Sequence, residues 1–137
     1  MTKKGVLLTP LVLALALVLN MGQIMPGSTV NAAGSYNATI HYLNNTNWSE
    51  VGFYAWGNAG NLGAWPGTLV QENADHEGWY DGVVTNFGES KINVIFNENG
   101  KGGQTKDLSV DLTAGDEFWV VNEQVLTTAP EAWSGNV

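Results

Sequence analysis

From Tyr36 onward, apolar and β-branched residues come in short runs, separated by polar stretches rich in Gly and Asn. Tyr36 to Leu43 is one such run, with Thr39, Ile40 and Tyr42 among its β-formers, and Val51 to Trp56 is the next. The Asn44-Asn45-Thr46-Asn47 cluster between them is a turn signal, so an early hairpin is expected. Trp79 to Val84, Lys91 to Phe96 and Glu117 to Val121 read as further strands, and Leu108 to Leu112 as a weaker one. Gly57 to Gly63 reads as a loop, Pro66-Gly67 as a turn and Asn97 to Gly103 as a Gly- and Asn-rich connection. No stretch reads as a helix. The spacing predicts an all-β domain over residues 36–124, a small antiparallel sandwich or barrel of roughly immunoglobulin size. Past about Asn122 the pattern fades into Thr127-Thr128-Ala129-Pro130, so residues 125–137 read as a linker-like tail.

The start of the chain follows a different pattern. Lys3 and Lys4 precede Leu7, Leu8 and an apolar run from Leu11 to Leu19, and Val30-Asn31-Ala32 has the small-x-Ala form of a cleavage site. Positive start, apolar middle and small-residue end together make a secretory signal over residues 1–32. The plainer reading is a retained membrane anchor, but the apolar run falls short of the ~20 residues a spanning helix needs. Cleavage would leave a secreted, extracellular domain with no membrane attachment.

Charge and cysteine content narrow its partners. Lys3 and Lys4 are two of the five basic residues, and the leader holds none of the 13 acidic ones, so the remainder carries three against 13, a charge of −10. Three lysines and no arginine cannot build the clustered positive surface that nucleic acid requires. An acidic exterior also disfavours anionic membranes and polyanionic sugars, which leaves a neutral ligand. With no cysteine there is no disulfide framework, no thiolate nucleophile and no Cys-ligated zinc.

Charged residues make up 13% of the chain, about half the usual share of roughly 25%, while six tryptophans lie beyond the leader. Six indoles in so short a domain cannot all be core. Alternation along the second strand puts Val51, Phe53 and Ala55 on one face and Gly52, Tyr54 and Trp56 on the other. The first set is a core face, and the second offers two aromatics that the core does not need. Trp65 follows in Leu62-Gly63-Ala64-Trp65-Pro66-Gly67, where the Pro-Gly turn would hold its indole in a defined orientation. A pyranose ring has an apolar C–H face that stacks on such rings, hiding apolar area from both partners. Rings set at an angle follow a curved α-1,4-glucan, whereas coplanar rings suit a flat, cellulose-like chain. Asn97, Asn99, Gln104 and Thr105, in a loop after a strand, are placed to read sugar hydroxyls. The plainer reading puts Trp65 in the core beneath its turn. Trp48, Trp79 and Trp119 read as structural, and Trp133 lies in the tail.

The segments ATIHYLNNTNWSEVGFYAW (residues 38–56), LGAWPGT (62–68), Gly78-Trp79-Tyr80 and INVIFNENGKGGQTKDL (92–108) stand in an order that resembles carbohydrate-binding module family twenty-six. The sister family twenty-five is a more distant likeness. The resemblance covers residues 36–124 and implies a β-sandwich that binds starch, maltooligosaccharides and related α-glucans without catalysis, attached to an amylase or a cell-surface protein. It places the stacking aromatics on Tyr54 and Trp65 and the polar partner on Gln104, with Thr105 beside it. Some members carry another aromatic where this chain has Gly52, so Trp56 either replaces that platform or supports the fold.

Catalytic readings find little support. Glu72, Asp75, Glu77 and Asp81 form an acidic stretch and Asp116-Glu117 a pair, but so small a domain offers little scaffold for a glycosidase cleft. His41 and His76 accompany no Ser pattern, and Gly100-Lys101-Gly102-Gly103 lacks the Ser or Thr of a phosphate-binding loop. The acids and asparagines leave a calcium site open as a reading, but no EF-hand spacing is present, and no cofactor is implied. Two other readings remain, a secreted sandwich that binds a protein partner and a module for another polysaccharide such as chitin or β-glucan.

Overall fold

Among the described residues, nine strands and one helical turn arise from these runs: β1 (Tyr36–Leu43), β2 (Val51–Gly57), β3 (Gly60–Asn61), β4 (Thr68–Val70), β5 (Trp79–Phe87), β6 (Lys91–Asn97), β7 (Leu108–Asp111), β8 (Glu117–Val121), β9 (Gln124–Leu126) and α1 (Glu131–Ser134). The structure is a computed structural model that describes residues 34–134. The signal reading over residues 1–32 lies outside the described residues, among which no helix is long and apolar enough to cross a membrane.

The strands form two sheets. One has the order β5-β1-β8-β9, the other β3-β2-β6-β7, with β4 also pairing β2. The inward alternation expected of β2 holds, since Val51, Phe53 and Ala55 are buried, as are Ile92, Val94 and Phe96 opposite them on β6. These meet Ala38, Ile40 and Tyr42 of β1 and Phe118 and Val120 of β8 in one apolar core. Phe96 is central, with its ring 4.6 Å from Tyr42 and 5.1 Å from Phe53. Trp48 stacks on Tyr42 at 5.7 Å from the loop side.

Three features depart from the sequence pattern. The first two strands do not form a hairpin, because β1 and β2 lie in opposite sheets. The Asn44 cluster instead folds on itself, its amide donating to the Trp48 carbonyl at 2.8 Å and its side-chain oxygen accepting from the Trp48 N–H at 3.3 Å. Crossing between sheets lets the apolar faces of β1 and β2 both reach the core.

Second, pairing is antiparallel throughout except between β1 and β8, which run parallel with Ile40 beside Phe118. The chain passes into the other sheet and back between them, so no hairpin sets their relative direction. Third, the stretch read as a tail carries β9 and α1. Asn122 and Glu123, with φ of 50° and 65°, supply the two positive dihedrals of a tight β8–β9 turn without the Gly that usually marks one. Beyond it, α1 brings Trp133 against the outer face of the β5-β1-β8-β9 sheet. Its ring lies 3.5 Å from His76, 4.2 Å from His41 and 5.2 Å from Trp79.

Candidate functional site

The outer face of the other sheet carries the aromatic cluster. On β2, the residues between the core-facing ones point away from the core, so Tyr54 and Trp56 stand on the outer surface, both partly buried. Ile95, directly across from Tyr54 on β6, is only 6% exposed and forms an apolar floor beside the ring. Strands β3 and β4 take opposite ends of the same edge of β2, Asn61 beside Trp56 and Thr68 beside Phe53. The segment between them, residues 62–67, therefore arches out beside Tyr54. The Leu62 N–H holds the start of the arch to the Ala55 carbonyl at 2.9 Å.

Trp65 sits at the crest. The Trp65–Pro66 peptide is cis, and the Gly67 N–H closes the turn on the Ala64 carbonyl at 2.7 Å, which is the pattern of a turn built around a cis proline. Gly67 has φ of 94°, and a Cβ there would run into the Phe53 carbonyl, so only glycine returns the chain to β2. The result is an indole 46% exposed, one of three large apolar side chains exposed among the described residues. Burying it in the core is excluded by that exposure.

The rings have a definite relation. Trp65 and Tyr54 lie 5.3 Å apart at 77°, and Tyr54 and Trp56 lie 5.3 Å apart at 29°. A sugar held between two ring faces needs roughly 7 Å, twice the ~3.5–4.0 Å of a carbon contact. Trp56 is too close to Tyr54 for that, so it props Tyr54 and extends its surface. Trp65 and Tyr54 instead meet edge to face, an aromatic corner whose planes stand nearly at right angles. Asn61 donates to the Tyr54 hydroxyl at 3.1 Å, fixing the ring tilt. Neither Asn61 nor this bond was legible in the Gly57–Gly63 loop.

The polar candidates separate. Asn97, read from sequence as a sugar contact, is fully buried. Its amide donates to the Pro66 carbonyl and its oxygen accepts from the Gly100 N–H, each at 3.0 Å, so it braces the Trp65 arch from beneath. A Cβ on Gly52 would stand 2.8 Å from the Asn97 oxygen and 3.2 Å from the Pro66 carbonyl, which is why no aromatic occupies that position. Asn99 donates to Glu50 at 3.1 Å, and Lys101 meets the same carboxylate at 2.9 Å. The Lys101 hydrogen bond first, then that of Asn99, holds Glu50 below its usual range.

Thr105 is buried at 4% exposure, its hydroxyl accepting from the Phe96 N–H and donating to the Lys106 carbonyl. These two bonds give it a place in the framework beside β6. Gln104 is exposed, pairs across from Asn97 in the same sheet as Tyr54, and lines a cleft with Trp48.

The acidic stretches lie elsewhere. Asp81 and Glu117 flank His41 at 2.6 and 2.7 Å on the outer face of the opposite sheet. Among the described residues, the ring contacts and side-chain hydrogen bond of the aromatic corner involve Tyr54, Trp56, Trp65 and Asn61, none of them charged.

Comparisons with known proteins agree with this fold. The family model of starch-binding module 26 matches residues 40–110, a little over half of the chain. An alpha-amylase of Butyrivibrio fibrisolvens is 36% identical over 81 residues, 59% of this chain and 8% of that enzyme. The crystal structure of CBMbc, family CBM26, from Eubacterium rectale Amy13K in complex with maltoheptaose is 37% identical with a TM-score of 0.64. That likeness covers 78% of this chain and 56% of that one. A CBM25 of a Bacillus halodurans amylase, in complex with maltotetraose, shares the fold at 19% identity and a TM-score of 0.55, covering 69% of this chain and 98% of that one. The chain thus spans a small part of the amylase it resembles, and it belongs to the starch-binding module 26 family.

Proposed function

We propose that this domain holds starch-type α-glucan chains without cleaving them, by stacking glucose rings in the corner between Tyr54 and Trp65. The observation that carries this reading is the 77° angle between two adjacent rings, one of them half-exposed. An α-1,4-glucan curves, so successive rings turn their apolar faces and meet two platforms set at an angle. A flat β-1,4 chain would engage one platform and leave the other. Trp56 supports Tyr54, and Gln104 supplies polar contacts farther along the chain. Sites of this small, open kind reach about −5 to −7 kcal/mol, or roughly 10 μM to a few hundred μM.

The comparisons support the ligand class, since the family 26 relative was crystallised with maltoheptaose. In its biological setting the domain raises the local glucan concentration for a partner, an amylase or a cell-surface protein, outside the cell after removal of residues 1–32. Starch and maltooligosaccharides are its partners, and it needs no cofactor.

The test is retention of the purified domain on insoluble starch, with cellulose and chitin as controls and Trp65→Ala alongside. Retention on starch alone, lost in the variant with an unchanged circular dichroism spectrum, is the expected result. Failure of the native domain to bind starch would overturn the reading and point to a protein partner or another glycan.

A further inference from the structure

Trp65 accounts for one of the three large apolar side chains exposed among the described residues. The other two, Leu69 at 46% and Val83 at 60%, line a single groove. Its volume is about 560 Å³, and it is lined from β4 on one side and β5 on the other, each at the margin of its sheet. Phe53 contributes to the floor. A Cβ on Gly82 would stand 2.5 Å from the Phe53 ring, so β5 passes this floor with no side chain between them.

Both lips are strand edges. β5 is outermost in its sheet and pairs with β1, and β4 pairs with β2. The Glu72–Tyr80 bridge ties the two margins together at one end. At the other end Asn86, with φ of 52°, stands where the register with β1 shifts. Residues 81–85 between them form a straight edge. Every second residue there turns its N–H and C=O away from β1, and no strand meets them among the described residues.

The charge around the groove has one sign. Glu72, Asp75 and Asp81 line it, and no lysine does. Asp81 is engaged by His41 and Asn73, and Glu72 accepts from the Gly78 N–H at 2.6 Å. Among the described residues the lysine ion pairs are Lys91–Asp111 and Lys101–Glu50, which leaves Glu72 and Asp75 uncompensated. A second copy of this chain would suit the open edge but not the charge, since residues 33–137 hold three basic and 13 acidic side chains. Exposed apolar lips, unpaired backbone and uncompensated acid together fit a cationic strand.

We propose that the β4–β5 groove docks an extended polypeptide segment of a partner, one that mixes β-branched apolar residues with lysine or arginine. The segment adds as a strand to the free edge of β5. Backbone hydrogen bonds along residues 81–85 supply affinity, apolar side chains cover Leu69 and Val83, and basic ones meet the acidic rim. Docking of this kind does not depend on the glucan reading.

The experiment uses two capped seven-residue peptides, one alternating valine with lysine and the other valine with glutamate. Each is titrated into the isotope-labelled domain, and amide chemical shifts report where and how tightly it binds. The lysine peptide should shift amides in residues 69–75 and 81–85 and bind about tenfold more tightly than the glutamate peptide. Val83→Lys and Leu69→Ser change exposed side chains, and circular dichroism checks that each variant folds. Each should weaken the lysine peptide about tenfold. Full affinity in both variants, equal affinity for the two peptides, or shifts confined to other surfaces would overturn the proposal. So would the absence of any shift at about 1 mM lysine peptide. Sedimentation supplies the remaining outcome: a native dimer that Val83→Lys disperses would give the edge to a second copy and overturn the cationic partner.

Discussion

The side-chain amide of Asn97 donates to the Pro66 carbonyl at 3.0 Å, which makes a fully buried residue on β6 the strut beneath an exposed indole. The arch that carries Trp65 is tied to β2 at both ends by the pairing of β3 and β4. Asn97 adds a hold at Pro66, and its oxygen ties the same point to Gly100.

Asn97→Ala should therefore affect the site and the fold together. It leaves the Pro66 carbonyl and the Gly100 N–H without their partner, at a cost of about 1–3 kcal/mol in denaturant unfolding. Starch affinity should fall about tenfold although Asn97 touches no ligand. Trp65→Ala should show the reverse pattern, with binding lost and stability changed by less than about 1 kcal/mol, because the indole is half-exposed. An Asn97→Ala variant with native starch affinity would show that the arch stands unaided.

Gly52 gives a second prediction. Placing an aromatic there, as in some members of the family, should not add a stacking platform. The new Cβ would meet the Asn97 oxygen at 2.8 Å and push the strut off Pro66. Gly52→Tyr should cost about 1–3 kcal/mol and weaken binding of maltooligosaccharides. Tighter binding at native stability would show that the arch can shift to make room.

Much of this domain was legible in the sequence. The alternation over Val51–Trp56 assigned the core face that the structure keeps and put Tyr54 and Trp56 on the other, where only Gly52 is covered, and the Pro-Gly signal located the turn that exposes Trp65. What sequence patterns could not show was which strands become neighbours. Asn44–Asn47 reads as a turn whether it joins two strands of one sheet or carries the chain to the other, because the same Asn bonds cap either path. Asn97 failed for a related reason. Strand alternation puts it on the outer face, where amides usually meet solvent, but the Pro66 loop, distant in sequence, covers it. Trp133 stands alone in a polar stretch with no periodicity to report its docking.

Glu50 makes stability depend on acidity. Its hydrogen bonds to Lys101 and Asn99 lower its folded pKa below the ordinary value of about 4.5. The unfolded chain binds that proton more readily, so the contribution is present above about 4.5 and is lost as pH falls through the lower folded value. Unfolding of native protein and Glu50→Gln should therefore differ near neutral pH, and the gap should close in the acid range. The carboxylate is open to solvent, so the difference should be small and should shrink in high salt. A gap that widens on acidification would contradict this sign.

The final prediction concerns the other face of the sandwich. Trp133 lies against His76, His41, Trp79 and Trp119, and the His76 ring nitrogen stands 2.6 Å from the Trp133 carbonyl. Beneath it Trp79 is 1% exposed and Trp119 is 7% exposed, with the Trp119 indole nitrogen buried without a partner. That burial depends on a residue far beyond the last strand of either sheet's core. Removing the ring would open Trp79 and Trp119 to water and expose the His41 link between Asp81 and Glu117. A fully buried Trp replaced by Ala costs about 3–5 kcal/mol, and Trp133 is only partly buried. Trp133→Ala should then cost about 1–3 kcal/mol and red-shift tryptophan emission, while Trp133→Phe keeps most of the contact. Starch retention should be unchanged in both, because the glucan corner is on the opposite sheet. Native stability in Trp133→Ala would mean that the domain ends with β9, and lost starch retention in a folded variant would mean that the two faces communicate through the core.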